Sequence, residues 1–229
     1  MNELLEIAVL PLFLTLGAYQ AGLWCQKKLK TAIANPILIA MALILLFMLA
    51  TGLSNETYQG GMKLLSWLLT PATVCLAIPM YEQLQILRKN LWAILAGVAC
   101  GAISCLFMVL GCGILFHFEA NLTASLLPKS VTSAIGVPLS EMAGGISGIT
   151  TTVIVITGIF ANVLGTLCCK IFRLKDPVAQ GVAFGTSGHV IGTAKANELS
   201  PLTGAISSLS LVVAGLLTAI IFPLVMQLI

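Results

Sequence analysis

Two stretches of an otherwise apolar chain hold the side chains able to do chemistry. The first, Leu126–Gly158, carries Lys129, Ser130, Thr132, Ser133, Ser140 and Glu141, and is broken by Pro128, Gly136, Pro138, Gly144, Gly145 and Gly148. The second, Gly185–Gly215, carries Ser187, Gly188, His189, Gly192, Thr193, Lys195, Asn197 and Glu198. An ammonium beside hydroxyls is a receptor for a carboxylate, and glycine lets backbone amides approach a ligand. Lys129, Ser130, Thr132 and Ser133 would bind the carboxylate of a small substrate. Ser187, His189, Gly192 and Thr193 would complete the pocket, with the N-terminal end of a half-helix presenting its positive pole. Glu141 and Glu198 would serve ion coupling, either as carboxylates that carry a proton or by helping to bind sodium. Plainer readings stand beside these. Small hydroxyl residues let helices pack closely, lysines at a segment end snorkel to the surface, and Lys195 could simply pair with Glu198.

Other chemistries find no support. The cysteines Cys25, Cys75, Cys100, Cys105, Cys112, Cys168 and Cys169 show no C-x-x-C spacing, and all but Cys25 lie in apolar runs, where a thiol acts as a small hydrophobe. With only His117 and His189 as imidazoles, no metal or redox cofactor is expected; the ions foreseen are a coupled H+ or Na+. No phosphate loop, dinucleotide fingerprint, zinc-protease motif or nucleophile elbow is present, so the chain reads as a non-enzyme. The net charge of +3 is spread over loops, with no basic run to suggest nucleic acid.

The elements that must position these residues are membrane helices. Hydrophobic residues make up 59% of the chain and charged residues 8%, with a mean hydropathy of +1.06. Soluble domains carry about 25% charge, so this is an integral membrane protein. Strand-like alternation is absent, so the class is all-α rather than barrel. Full spans are expected at Leu4–Trp24, Pro36–Gly52 (with Asn35-Pro36 as the helix start), Met62–Tyr81, Leu91–Phe116, Ile149–Ile171 and Leu202–Ile229. Ser54–Gln59 and His117–Asn121 read as loops. Pro71 and Pro79 should kink the third span, whose Pro71, Thr73, Tyr81, Glu82 and Gln83 could line a path.

Charge bias then counts crossings. Lys27, Lys28 and Lys30, Arg88 and Lys89, and Lys170, Arg173 and Lys175 should all be cytoplasmic. Leu122–Gly148 must then cross twice or not at all, and its 27 residues cannot supply two spans of about 20 each. It reads as a re-entrant hairpin of two half-helices entering from outside, and Val178–Ser200 as a hairpin entering from the cytoplasm. The architecture is one membrane domain over 1–229, with six full spans and two opposed broken-helix hairpins. The competing arrangement makes each interrupted segment a single broken crossing and gives eight spans. At an offset of 57 residues Glu141 falls on Glu198 and Gly158 on Gly215; one residue less brings Ile135-Gly136 onto Ile191-Gly192. Residues 122–171 and 178–229 would then form an inverted repeat, a transporter design with the ligand at the junction.

The chain resembles the LrgB/CidB family of holin-like and antiholin-like membrane proteins. The resemblance lies in LLTPATVCLAIPMYEQ (Leu68–Gln83), LLPKSVTSAIGVPLSE (Leu126–Glu141), GGISGIT (Gly144–Thr150), GHVIGTAKANE (Gly188–Glu198) and GAISSLSLVVAG (Gly204–Gly215), and it covers nearly the full length. It departs at Ser133-Ala134-Ile135-Gly136, where the family usually has a proline, and at Gly188, where it usually has serine. The resemblance implies a multi-pass protein of the bacterial cytoplasmic membrane that forms homo-oligomers and works with a small LrgA/CidA-type partner. It implies two functions. One is secondary transport of a small monocarboxylate such as glycolate, glycerate or pyruvate. The other is control of murein hydrolase export and cell lysis. The polar hairpins favour the carrier.

Overall fold

The computed structural model describes residues 2–29, 36–75 and 77–227, and among them every regular element is a helix. Lys30 and Asn35, and the side chains of Thr73 and Pro79, lie outside the described set. The chain forms two compact units, Met1–Cys75 and Leu76–Ile229. Three described helices are long and apolar enough to cross a membrane: Leu91–Leu115, Ser147–Ile171 and Pro201–Met226.

The first unit holds α1 (Asn2–Leu29), α2 (Pro36–Thr51), α3 (Asn55–Gly61) and α4 (Lys63–Cys75). Pro11 inside α1 cannot donate to the helical ladder, and Thr15 donates back to the Pro11 carbonyl at 2.7 Å. The same Thr15 hydroxyl meets Tyr58 of α3 at 2.7 Å, which ties α3 to α1. Residues 54–59, expected as a loop, thus contain most of a helix. Ser54 caps it by accepting from the Thr57 amide at 3.2 Å, so a polar surface segment gains helical order from its cap and from Tyr58.

The second unit runs α5 (Ala77–Glu82), α6 (Leu84–Lys89), α7 (Leu91–Leu115), α8 (Ala120–Leu126), α9 (Ser133–Met142), α10 (Ser147–Ile171), α11 (Pro177–Leu199) and α12 (Pro201–Met226). The expected third span covers α4 and α5, with Leu76 between them outside the described residues, and the boundary between the two units falls there. In the second unit α7 and α12 run parallel. Ile94 and Val98 pack with Ile206 and Ala214 at their N-terminal halves, and Leu106, Val109 and Leu110 pack with Phe222 and Val225 at their C-terminal halves.

The two interrupted stretches each reverse direction. In the first, α8 and α9 are about 10 Å and 15 Å long at about 1.5 Å per residue, and residues 127–132 join them. Ser125 of α8 accepts from the Ile146 amide at 2.7 Å, and Thr150 of α10 donates to Ser140 of α9 at 2.7 Å. The C-terminal end of α8 and the C-terminal half of α9 therefore both lie at the N-terminal end of α10. In the second, α11 is broken at His189, where φ is 41° and ψ is −137°. Gly181 and Gly185 in the first half lie against Thr203 and Ile206, then Ser207 and Ser210, so this half runs parallel to α12. Thr193 and Asn197 in the second half lie against Ser207 and Gly204, so that half runs antiparallel. The two halves fold onto each other. A Cβ on Gly192 would fall 2.6 Å from the carbonyl oxygen of Phe184, eight residues earlier, and one on Gly136 would fall 3.2 Å from that of Pro128, at the same separation. Gln180 and Leu199, near the two ends of α11, border the same cavity as Lys170 and Arg173 at the C-terminal end of α10. The two reversals thus flank α10 from opposite ends.

Candidate functional site

The two turns meet near the middle of α10 and α12. His189 is buried, and its Nε2 lies 2.9 Å from the carbonyl oxygen of Ile154 in α10. Gly158, at the centre of α10, makes room for the imidazole, since a Cβ there would fall 2.6 Å from the ring and 2.9 Å from Ile191. Gly215 of α12 receives Ile135 of the other hairpin in the same manner, at 2.7 Å from a built Cβ. Thr193 donates to the His189 carbonyl at 2.8 Å and shares a 2.8 Å hydrogen bond with Ser207 of α12. His189, Gly192 and Thr193 thus form one buried cluster, joined by Ser207, which the sequence presented as an ordinary helix residue.

Lys129 and Ser130 belong to a second cluster, at the tip of the first hairpin. The Lys129 Nζ lies 3.3 Å from the Ser130 hydroxyl, which reaches the Cys105 sulfur of α7 at 3.5 Å. Lys129 is half-buried and Ser130 buried. No carboxylate lies within ion-pair distance of Lys129 among the described residues, where the one ion pair joins Lys195 Nζ to Glu198 Oε2 at 2.7 Å. A small cavity adjoins, lined by Cys105, Ser130, Thr186, Thr218 and apolar neighbours, with about 10 Å³ open to a water centre, room for about one oxygen atom. Thr186 Oγ1 is fully buried and has no hydrogen-bond partner among the described residues. An unpaired buried hydroxyl is uncommon and costs stability, so the cavity is a place where a polar atom belongs. No acidic residue lines it. Its hydroxyls, with the ammonium behind Ser130, suit an oxyanion better than a cation.

The remaining candidates are elsewhere. Thr132 is the half-buried N-cap of α9, but its side chain makes no capping bond; Ser133 next to it is exposed. Ser187 is exposed and donates to the Ala183 carbonyl at 2.6 Å. Glu141 and Glu198 are exposed near the bases of the two hairpins, at opposite ends of α10 and away from the tips. Tyr81 and Glu82 are exposed, Gln83 is half-buried, and Pro71 is exposed in the other unit. Thr186 lies inside the second polar stretch, Gly185–Gly215. Thr218 and Cys105, isolated in apolar helices, gave no signal at all.

Comparison with known proteins adds a relationship over nearly the whole chain. The profile of the LrgB-like family matches residues 15–228. The antiholin-like protein LrgB of Bacillus subtilis (strain 168) is 35% identical over 216 residues, covering 94% of each chain. No solved structure matches.

Proposed function

The chain belongs to the LrgB-like family, and from that premise we propose that it has an antiholin-like function: control of membrane permeability in the step that governs murein hydrolase export and cell lysis. The relationship to a protein named for that role supports this reading. A small LrgA/CidA-type membrane partner and a homo-oligomer, in a bacterial cytoplasmic membrane, belong to it.

A specific observation favours a second reading at the molecular level, transport of a small monocarboxylate. It is the half-buried Lys129 ammonium, without a carboxylate partner among the described residues, against Ser130, which lines one cavity with the unpaired hydroxyl of Thr186. A cation held in a membrane segment normally has a counter-charge or a function. A substrate carboxylate would supply that counter-charge and would accept from Ser130 and Thr186. In this reading the two reversals are re-entrant hairpins, the first entering from outside and the second from the cytoplasm, among six full spans. Residues 122–171 and 178–229 are inverted repeats. Two contact pairs support the repeat. Gly158 receives Ile191 and Gly215 receives Ile135, and these partners are equivalent at offsets of 57 and 56 residues. A pseudo-two-fold axis converts one contact into the other. Glu141 and Glu198, at the hairpin bases, would meet a coupled H+ or Na+ as it enters from either side.

The test is uptake of labelled pyruvate, glycolate and glycerate into vesicles holding the protein, with and without an imposed proton or sodium gradient. Saturable, competed uptake supports the carrier, and Lys129→Ala and His189→Ala should then abolish it while membrane insertion persists. Unchanged uptake in both variants removes the site assignment. Unsaturable flux that admits unrelated solutes, or flux that appears only with the small partner, supports permeability control without a carrier.

A further inference from the structure

A separate feature lies where α10 ends and α11 begins. A cavity of about 700 Å³ is bordered by Lys170, Arg173, Lys175 and Gln180, with Leu174 and Leu199 also in its lining. Beside it is an apolar cleft of about 370 Å³ between α10 and the first half of α11, walled by Phe160, Leu164, Phe172 and Phe184. The two spaces share Cys169 and Leu174 and are therefore adjacent. Three cations at one end and an aromatic-aliphatic cleft at the other match one ligand chemistry, a phosphate joined to a long hydrocarbon chain.

We propose that this is a binding site for an anionic glycerophospholipid, with its phosphate among Lys170, Arg173 and Lys175 and an acyl chain along Phe160, Leu164, Phe172 and Phe184. The charge balance supports a lipid anion over an internal partner. No carboxylate lines the cavity. The two acids nearest in the chain are engaged: Asp176 accepts from the Ala179 amide at 3.0 Å as the α11 cap, and Glu198 is held by Lys195. The three cations have no ion-pair partner among the described residues. Charge bias assigns this loop to the cytoplasmic face, where basic pockets between membrane helices collect anionic headgroups. A free phosphate would use the cations and leave the cleft unfilled, so the cleft argues for the lipid.

The site is independent of the carrier question and is tested on the full-length purified protein in detergent. Thermal unfolding is followed with added phosphatidylglycerol, phosphatidylcholine or inorganic phosphate, and phosphatidylglycerol affinity is measured by titration. Phosphatidylglycerol should raise the midpoint by several degrees, phosphatidylcholine much less, and phosphate alone not at all. The triple variant Lys170→Gln, Arg173→Gln, Lys175→Gln should bind phosphatidylglycerol roughly a hundredfold more weakly, whereas Lys27→Gln with Lys28→Gln should bind it as the parent does. Equal effects of the two lipids, an equal effect of phosphate, or equal weakening in both sets of variants overturns the proposal. The wild-type lipid comparison decides it even where the triple variant does not fold.

Discussion

His189 carries more local cost than any other described side chain in the hairpins. Its φ of 41° with ψ of −137° is a backbone state that L residues rarely adopt, and its ring has to be accommodated against Gly158. Such conformations cost on the order of 1–3 kcal/mol and persist where the surroundings enforce them. Here the bond to the Ile154 carbonyl and the close fold-back of Gly192 on Phe184 do so. His189→Gly removes the strain along with the bond, whereas His189→Ala keeps the strain and loses the bond. The alanine variant should therefore unfold more readily than the glycine variant, by about 1 kcal/mol, in thermal or denaturant melts. Thr186 gives the opposite prediction. Its hydroxyl is buried without a partner among the described residues, so Thr186→Val should raise stability by about 1 kcal/mol while weakening carboxylate binding if the carrier reading holds. A loss of stability would mean that the hydroxyl is bonded. Lys129 and His189 were legible as candidates because charge and imidazole are rare in this chain. Thr218 and Cys105 were not, because a lone hydroxyl or thiol in an apolar helix acquires meaning only from what folds against it.

Among elements, the contact between the two halves of the second unit rests on small residues at the centres of α10 and α12. The pair is alike in kind but unlike in cost. A methyl at Gly158 would meet the His189 ring, already fixed by its hydrogen bond, as well as Ile191; one at Gly215 would meet only the tip of Ile135, which can turn aside. Gly158→Ala should cost about 1–3 kcal/mol through overpacking, and Gly215→Ala clearly less, in parallel melts of the two variants. Equal losses would show that the histidine yields as easily as the isoleucine. The helix-breaking residues were visible in the sequence, and their clustering within 27 residues at Leu122–Gly148 excluded two full spans. The reversal of α11 was read as a hairpin over Val178–Ser200, but its turning residue was not, because that residue is a histidine rather than the glycine or proline that announces a turn. The helix α3 was missed for a different reason. Its polar residues carry no apolar period, and its stability comes from the Ser54 cap and the Thr15–Tyr58 hydrogen bond, which lies 43 residues away in sequence.

In the whole molecule, the sequence contributes an arithmetic over charges and lengths. Lysines and arginines at three loops set a parity that no single segment reveals, and the proposed opposed entry of the hairpins follows from it. That arrangement predicts sidedness. In a cysteine-free background, Glu141→Cys should react with an impermeant thiol reagent from outside the cell and Glu198→Cys only from the cytoplasmic side, as read by labelling intact cells and inverted vesicles. Reaction of both from one side would remove the opposed arrangement. Composition alone could not reach the pairing of the tips, since contacts between residues so far apart in the chain are settled by packing. The dependence of the second hairpin on α12 also bears on how the protein is made. Gly181 and Gly185 let α12 approach the backbone closely, through Thr203, Ile206, Ser207 and Ser210, yet α12 leaves the ribosome after α11. Until it does, α11 can rest on α7 and α10 but lacks the face that α12 supplies. Synthesis of α12 then completes the packing of α11, and a chain truncated before Pro201 should be recognised by quality-control proteases as an unfinished product.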